Sequence, residues 1–143
     1  MAEQKGQPIL VPPNTDELLA KYHAMRKQML FERFGRPYDD NHPDESLDGN
    51  HRRVLLLNGE PIGTIRIDID VPDAIFRLVT IREDLQGHGF GRRLVKLSEN
   101  FARSLGCHSV IVNPATESVR FWEACGYSGS FEGGRNLMKK NLW

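Results

Sequence analysis

One stretch of sequence decides the fold: residues 75–106 read IFRLVTIREDLQGHGFGRRLVKLSENFARSLG. Its first part, Ile75 to Ile81, is apolar and rich in β-branched residues, which predicts a strand. A glycine-rich loop, Gln86 to Gly91, follows it. Apolar residues then recur at helical spacing, and Gly106 is placed to end the helix. The periodic positions are Phe90, Leu94, Leu97, Phe101 and Leu105.

The glycine loop has the chemistry of an anion site. Gly87, Gly89 and Gly91 let the backbone approach a ligand closely. The first N–H groups of the following helix have no intrahelical acceptor and lie at the positive end of the helix dipole. The arrangement suits a phosphate or diphosphate. The alternative is a tight strand-to-helix turn that binds nothing.

Two common phosphate-binding motifs fail at this loop. The dinucleotide fingerprint G-x-G-x-x-G requires its third glycine where the chain has Arg92. A Walker A loop ends in Gly-Lys-Ser/Thr, whereas Gly91 is followed by Arg92 and Arg93. The sequence therefore disfavours both a dinucleotide-binding domain and a P-loop.

A third pattern, Q/R-x-x-G-x-G/A, is matched by Gln86, Gly89 and Gly91. Further along, Asn113-Pro-Ala115 is followed by FWEACGY at positions 121–127. With these two segments in this order, the sequence resembles the GNAT superfamily of acyl-CoA-dependent N-acyltransferases over roughly residues 15 to 142.

The resemblance implies an α+β GNAT fold. We expect a mixed, mostly antiparallel sheet of about six or seven strands with helices on both faces. The strand that ends at Ile81 and the strand 108–112 would run parallel and splay apart. The domain would span residues 15–143 after a flexible leader, residues 1–14.

The resemblance also implies acetyl-CoA as cosubstrate. Its pantetheine arm would pair with the strand backbone, its diphosphate would bind the loop N–H groups, and its thiol end would lie beside the helix after residue 115. The implied cofactor-binding residues are Val79, Ile81, Gln86, Gly87, His88, Gly89, Phe90, Gly91, Arg92, Asn113, Ser118, Phe121 and Trp122.

Catalytic candidates follow from the same resemblance. A backbone N–H near Ile81 would polarise the thioester carbonyl. Trp122 stands where many family members have a tyrosine that protonates the leaving thiolate, and an indole N–H is not an acid. Ser118, Tyr127 or water are alternative helpers. Glu83 and Asp68 are candidate bases for the acceptor amine, although each also fits an ordinary surface carboxylate.

The chain before the loop contains a helix and a hairpin. Asn14 is a candidate helix cap with Glu17 as its partner. The apolar stripe of that helix is Leu18, Tyr22, Met25 and Met29, and Gly35 and Pro37 would stop it. Two apolar runs, 54–57 and 62–69, flank Asn58-Gly59, which predicts a β-hairpin. In the second run Ile65, Ile67 and Ile69 would face the core, and Arg66, Asp68 and Asp70 would face solvent.

Residues 39–48 are strongly acidic and without periodicity, which indicates an exposed loop or a short frayed helix. Its acids are Asp39, Asp40, Asp44 and Glu45. They could attract a cationic amine or could simply keep the protein soluble.

Composition excludes several classes. A formal net charge of +0 provides no field for nonspecific nucleic-acid binding. No segment is apolar enough for a signal peptide or a membrane span, so we expect a cytoplasmic protein without membrane partners. Cys107 and Cys125 form no disulfide framework or zinc motif, and no metal is expected. The oligomeric state is left open, with a homodimer as one alternative.

The sequence thus predicts an N-acetyltransferase that transfers acetyl from acetyl-CoA to a primary amine of a small molecule or peptide by direct attack in a ternary complex. A noncatalytic acyl-CoA-binding or sensor module is the alternative, made credible by Trp122. A nucleotide-phosphate binder that shares only the loop geometry is a remoter one.

Overall fold

The computed structural model describes residues 6–132 and 135–143 of the chain. Seven strands form one sheet in the order β1-β2-β3-β4-β5-β7-β6. The strands are β1 Ile9–Val11, β2 Asn50–Leu57, β3 Glu60–Asp70, β4 Asp73–Ile81, β5 Ser109–Val112, β6 Ser128–Glu132 and β7 Arg135–Asn141. Only β4 and β5 pair in parallel, so the predicted α+β fold with a mixed sheet is confirmed.

The predicted hairpin is present as β2 and β3. Asn58 and Gly59 form its turn with φ angles of 52° and 81°, the left-handed conformations that this dipeptide tolerates. Ile65 and Ile67 are fully buried, as expected. The prediction of a solvent-facing side was wrong at Arg66, which is 5% exposed because helix and loop segments cover that face of the sheet.

The long helix after the glycine loop is α2, Phe90–Ser104. It buries Leu94, Val95 and Ala102 against one face of the sheet, in a cluster with Ile65 and Ile67. A second helical segment, α3 Val119–Ala124, follows a 3₁₀ turn at Thr116–Ser118. Both helices lie where the sequence pattern predicts them.

The first helix, α1 Asp16–Arg26, covers the opposite face, and its buried Tyr22 and Arg26 both bind Glu45 of the loop 36–48. Its cap is Thr15, whose hydroxyl accepts from the Leu18 N–H at 3.1 Å. The prediction of Asn14 as the cap was wrong, because Thr15 is the last residue with extended backbone. A π-helical turn and a 3₁₀ turn continue α1 to Phe34, where Gly35 stops it as predicted.

The segment 1–14 was predicted to be a flexible leader, but part of it forms the strand β1. Residues 9–11 pair antiparallel with β2, Val11 opposite Val54. Three residues are too few to show a period, and the hydrogen-bonding edge that holds them belongs to a strand more than forty positions away.

The parallel pair β4 and β5 splays as the family resemblance implies. Pairing runs from Asp73 opposite Ser109 to Phe76 opposite Val112, where β5 ends and β4 continues to Ile81. A register irregularity against β3 lies in this continuation, with Leu78 at a φ of 55°. Beyond Phe76, β4 therefore pairs with β3 on one side and with no described strand on the other. No helix in the described ranges is long and apolar enough to cross a membrane.

Candidate functional site

A cavity of about 940 Å³ opens where β4 and β5 separate. Its inner part lies in the split between the strands. Its outer half is bounded by residues 26–45 and by Arg66 and Arg77. The split is lined by residues from β4, from the end of β5 and from the segments that follow them: Phe76, Leu78, Val79, Thr80, Gln86, Val112, Asn113, Pro114, Ala115, Ser118 and Trp122.

The open edge of β4 presents backbone groups to this split. The Arg82 N–H donates to the Ile62 carbonyl at 2.8 Å, which marks a hydrogen-bonded pair with β3. Backbone groups of successive strand residues point to alternate sides. Ile81 and Val79 therefore direct their N–H and C=O groups away from β3, toward the side that β5 has left. An extended chain with amide groups can pair there as an added strand.

Gln86, the first residue of the loop motif, binds this edge directly. Its side-chain Nε2 donates to the Ile81 carbonyl at 2.9 Å. The amide thus satisfies the carbonyl at the end of β4 and holds the loop in register with the strand. With its carbonyl occupied by Gln86, Ile81 has its backbone N–H as the group that an added strand could use. The side chain of Ile81 is buried in the core.

The glycine loop leads from this edge into α2. Gly87 and Gly89 have φ angles of 80° and 87°, and a β-carbon at either would meet only open space. Gly89 caps α2 without a side-chain acceptor for the first N–H groups, which are left free by the geometry of a helix start. The loop residues Gly87 to Arg92 thus form an exposed backbone cradle of the kind that suits a diphosphate.

The side chain of His88 serves the loop itself. Its ring Nδ1 lies 3.0 Å from the Gln86 carbonyl and 3.2 Å from the Leu85 carbonyl, so an Nδ1–H donates to them. This geometry matches a role for the His88 backbone rather than its ring.

Three predicted residues meet at the inner end of the cavity: Asn113, Ser118 and Trp122. Ser118 donates its hydroxyl to the Ala115 carbonyl at 2.9 Å. Trp122 is 5% exposed and packs edge-on against Phe121 and Tyr127. Within residues 6–132 and 135–143 its indole N–H makes no hydrogen bond.

Tyr127, one of the alternative proton donors, lies in the core behind Trp122. Its hydroxyl donates to Glu99 at 2.9 Å, and Lys140 Nζ lies 3.1 Å from the same carboxylate. Burial, followed by the negative charge of Glu99, raises the pKa of Tyr127 far above its usual value. Tyr127 therefore supports the wall that carries Trp122.

The structure places the two candidate bases away from the cavity lining. Glu83 is 72% exposed and pairs loosely with Arg33 at 3.7 Å. Asp68 accepts from Nε and Nη2 of Arg66 at 2.8 and 3.0 Å, and from Arg77 Nε at 2.9 Å. Both oxygens of Asp68 are therefore committed to guanidinium groups.

Sequence reasoning missed a buried charge cluster in the outer half. Glu45, assigned to an exposed acidic loop, is 7% exposed. Its Oε1 accepts from Arg26 Nη1 at 2.6 Å, and its Oε2 from Arg66 Nη1 at 2.9 Å. Burial alone would raise the pKa of Glu45, but the hydrogen bonds and charges of Arg26 and Arg66 outweigh it and hold the pKa low. No local pattern signals a contact between residues so far apart.

Tyr38 is a second feature that the sequence did not indicate. It lines the outer half, and its hydroxyl lies within hydrogen-bond distance of His23 Nδ1. Burial, together with the charge of Arg26, lowers the pKa of His23. Burial raises the pKa of Tyr38 to about 12. Tyr38 thus presents a neutral aromatic ring to the cavity.

Among the residues that the structure describes, no group of three or more His, Cys, Asp or Glu side chains could hold a metal ion. The arrangement instead combines an open strand edge, a glycine loop at a helix start and a cavity where the strand edge turns irregular.

Comparison with known proteins agrees with this geometry. The profile of the acetyltransferase (GNAT) family matches residues 18–127. No curated protein matches the sequence closely enough to be informative.

Solved structures share the fold across nearly the whole chain. A candidate N-acetyltransferase from Lactobacillus plantarum superposes with a TM-score of 0.80 at 25% identity, covering 96% of this chain and 100% of its own. Mutant forms of the spermidine/spermine N-acetyltransferase from Vibrio cholerae give 0.70 at 21% identity, with 95% of each chain covered. The ribosomal-protein-S18-alanine N-acetyltransferase from Escherichia coli gives 0.73 at 12% identity, with 95% and 94% covered.

Proposed function

The chain belongs to the GNAT family of acetyltransferases, and we propose that it transfers an acetyl group from acetyl-CoA to a primary amine of a small molecule or peptide. The observation that carries the proposal is the unpaired edge of β4 beyond Phe76, which runs directly into the glycine loop. A strand edge followed by a helix start suits an extended, amide-containing arm that ends in a diphosphate.

The residues present fit this cosubstrate. Val79 and Ile81 offer backbone groups to the two amides of the pantetheine arm. The N–H groups from Gly87 to Arg92 take the diphosphate, and Gln86 holds this loop to the strand. Asn113, Ser118 and Trp122 lie around the thiol end, with Phe121 behind them between α3 and α2.

The acetyl group is transferred in one step. The nitrogen of the neutral amine attacks the thioester carbonyl carbon, the C–S bond breaks, and an amide and CoA thiol result. A backbone N–H on the open edge of β4 polarises the carbonyl. The family resemblance points to the N–H near Ile81 for this role. Because Val79 lines the cavity, we assign the polarisation of the carbonyl to the Val79 N–H.

Trp122 would stabilise the leaving sulfur by a hydrogen bond rather than by giving it a proton. Its free indole N–H can donate to the sulfur as charge develops there, although it cannot release a proton. A thiol with a pKa near ~8.5 is a fair leaving group at neutral pH. The proton of the amine passes to water in the open cavity, because Glu83 and Asp68 do not line it.

A noncatalytic acyl-CoA-binding module is the second candidate. It is favoured by one observation, the tryptophan in place of the usual acid. Such a module would bind acetyl-CoA as tightly as the enzyme would, but it would not transfer the acetyl group.

The deciding experiment measures ligand binding and turnover on the same protein. Acetyl-CoA at about 100 times its Kd should stabilise the fold by about 2.7 kcal/mol, and NAD and ATP should not. Thiol release from acetyl-CoA is then followed against a panel of amines, amino acids and peptides. Equal stabilisation by all three ligands would refute the assignment, and tight acetyl-CoA binding without transfer would select the binding module.

A further inference from the structure

The outer half of the cavity is where an acceptor amine would sit, so its charges bear on the acceptor. Five arginines line the cavity on this side: Arg26, Arg33, Arg36, Arg66 and Arg77. The acids that line it there are Asp39, Asp44 and Glu45. Which of these groups are already paired decides what kind of molecule the site can hold.

The buried acids of this region have no free oxygen. Both oxygens of Glu45 accept from Arg26 and Arg66. Asp68, behind the lining, is held by Arg66 and Arg77. A cationic amine that sought either carboxylate would have to displace a buried guanidinium, which leaves that charge uncompensated at high cost.

The remaining acids of the outer half lie at the water-exposed rim, and a further exposed acid, Glu117, lines the cavity beside Ser118. Asp39 accepts from the Asn41 backbone N–H at 2.9 Å, and Asp44 lies 3.8 Å from His42 Nδ1. Carboxylates in this setting interact weakly with a cation because water and salt screen them.

In the outer half of the cavity, three arginines have N–H groups that are not committed to any acceptor that the structure describes. Arg77 is half-exposed and uses only its Nε, toward Asp68, so that in the described residues neither of its Nη atoms has a hydrogen-bond partner. The Nε of Arg26 is buried without a partner. Arg36 lies over the rings of Phe31 and Phe34, 6.0 and 5.8 Å from their centroids, and makes no ion pair with a described residue.

Arg77 is also close to the reacting position. It precedes Val79 by two residues on β4, and both residues line the cavity. A guanidinium presents parallel N–H groups that match a carboxylate. One short molecule could therefore place a carboxylate on Arg77 and its amine at the thioester.

We propose that the acceptor is an α-amino acid whose carboxylate binds Arg77 in the outer half of the cavity. The proposal rests on the acetyl transfer proposed above and names its substrate class. The aromatic wall of Phe31, Phe34 and Tyr38 suits an apolar or aromatic side chain. The amine nitrogen forms the new C–N bond, the thioester C–S bond breaks, and the products are the N-acetyl amino acid and CoA thiol.

The test compares acceptors that differ only in the carboxylate. Phenylalanine and leucine are assayed beside phenylalaninamide, leucinamide and spermidine, with acetyl-CoA saturating. We expect kcat/KM to be roughly tenfold or more higher for the free amino acids than for their amides. A preference for the amides or for spermidine would overturn the proposal.

The matched variants are Arg77→Gln and Arg52→Gln. Arg52 lies opposite Arg66 on the neighbouring strand but does not line the cavity. We expect Arg77→Gln to raise KM for the amino acids about tenfold and to leave the amides unchanged, and Arg52→Gln to change neither. Loss of the carboxylate preference in both variants, or in neither, contradicts a specific role for Arg77.

Binding of the product gives a readout that does not need turnover. With CoA present, N-acetylphenylalanine should bind the parent protein in calorimetry, and Arg77→Gln should weaken this binding roughly tenfold. If acetyl-CoA binds but N-acetylphenylalanine does not, the acceptor class is refuted and the CoA site stands. If acetyl-CoA itself does not bind, the proposed function fails first.

Discussion

A β-carbon on Gly91 would lie 2.9 Å from Cε1 of Phe121 and 3.1 Å from its Cζ. Because Gly91 has no side chain, the start of α2 can pack against the aromatic ring of Phe121 in α3. Gly89, two residues earlier, faces open space. The two glycines serve different purposes: Gly91 serves packing between helices, and Gly89 serves backbone conformation and ligand access.

Gly91→Ala should destabilise the protein although it places a better helix former in α2. Alanine gains up to about 1 kcal/mol in helix propensity, but overpacking against Phe121 costs about 1–3 kcal/mol. Urea unfolding measures the balance. Adding Phe121→Leu should recover stability relative to Gly91→Ala alone, and two effects that simply add would contradict the contact.

Gly89→Glu should abolish acetyl-CoA binding while the fold persists. The left-handed backbone costs a non-glycine residue about 1–2 kcal/mol, and the carboxylate would oppose the diphosphate. Gly89→Ala has the strain without the charge. The thermal shift that acetyl-CoA causes in each variant separates the effect of strain from the effect of charge. Unchanged affinity in Gly89→Glu would place the diphosphate elsewhere.

Gln86→Glu should weaken acetyl-CoA binding more than Gln86→Ala does. The amide donates to the Ile81 carbonyl, and a carboxylate there places two acceptors face to face. We expect a loss of roughly tenfold in affinity for the Glu variant, measured by calorimetry. Equal losses in the two variants would show that the hydrogen bond does not hold the loop.

Trp122→Tyr should raise turnover by far less than the ~10²-fold typical of general acid catalysis, because the thiolate leaves without a proton donor. Trp122→Phe keeps the aromatic wall and removes the N–H, so its loss of kcat measures the hydrogen bond to sulfur. A gain in turnover approaching ~10²-fold in Trp122→Tyr would show that the missing general acid limits the rate of the parent protein.

Glu45→Gln should destabilise the protein by about 3–5 kcal/mol at pH 7, because Arg26 remains buried without its counter-charge, while Arg66 keeps only Asp68. Burial would raise the pKa of Glu45, but hydrogen bonds and charges of the two arginines hold that pKa below its ordinary value of 4.5 in the folded protein. Its stabilising contribution is therefore present above pH 4.5 and is lost as pH falls through the folded-state pKa.

Urea unfolding at several pH values checks this dependence. The difference in free energy of unfolding between the parent and Glu45→Gln should shrink as pH falls below about 4.5. Asp39→Asn, a substitution at the exposed rim, should stay within about 0.5 kcal/mol of the parent throughout. A pH-independent difference would mean that the carboxylate charge does not stabilise the cluster.

Patterns among residues that are close in the sequence were sufficient to predict much of the fold. The helix of residues 90–104 follows from apolar residues one turn apart, and the hairpin turn from the adjacent Asn58 and Gly59. The glycine loop is equally local, because its conformation depends on residues that are neighbours in the chain. The splayed strand pair was predicted from the resemblance to a family rather than from any local period.

Distant contacts had to be seen in the tertiary structure. The burial of Glu45 depends on guanidinium groups 19 and 21 positions away, and β1 depends on an edge supplied by β2. Hydropathy describes a residue's own preference, whereas burial depends on which other elements cover it, so an acidic run and an alternating strand were both read as exposed. Local sequence therefore determined the strand, loop and helix that could hold the cosubstrate, and only the packing of segment 26–45 onto the sheet decided which charges remain free at the acceptor side.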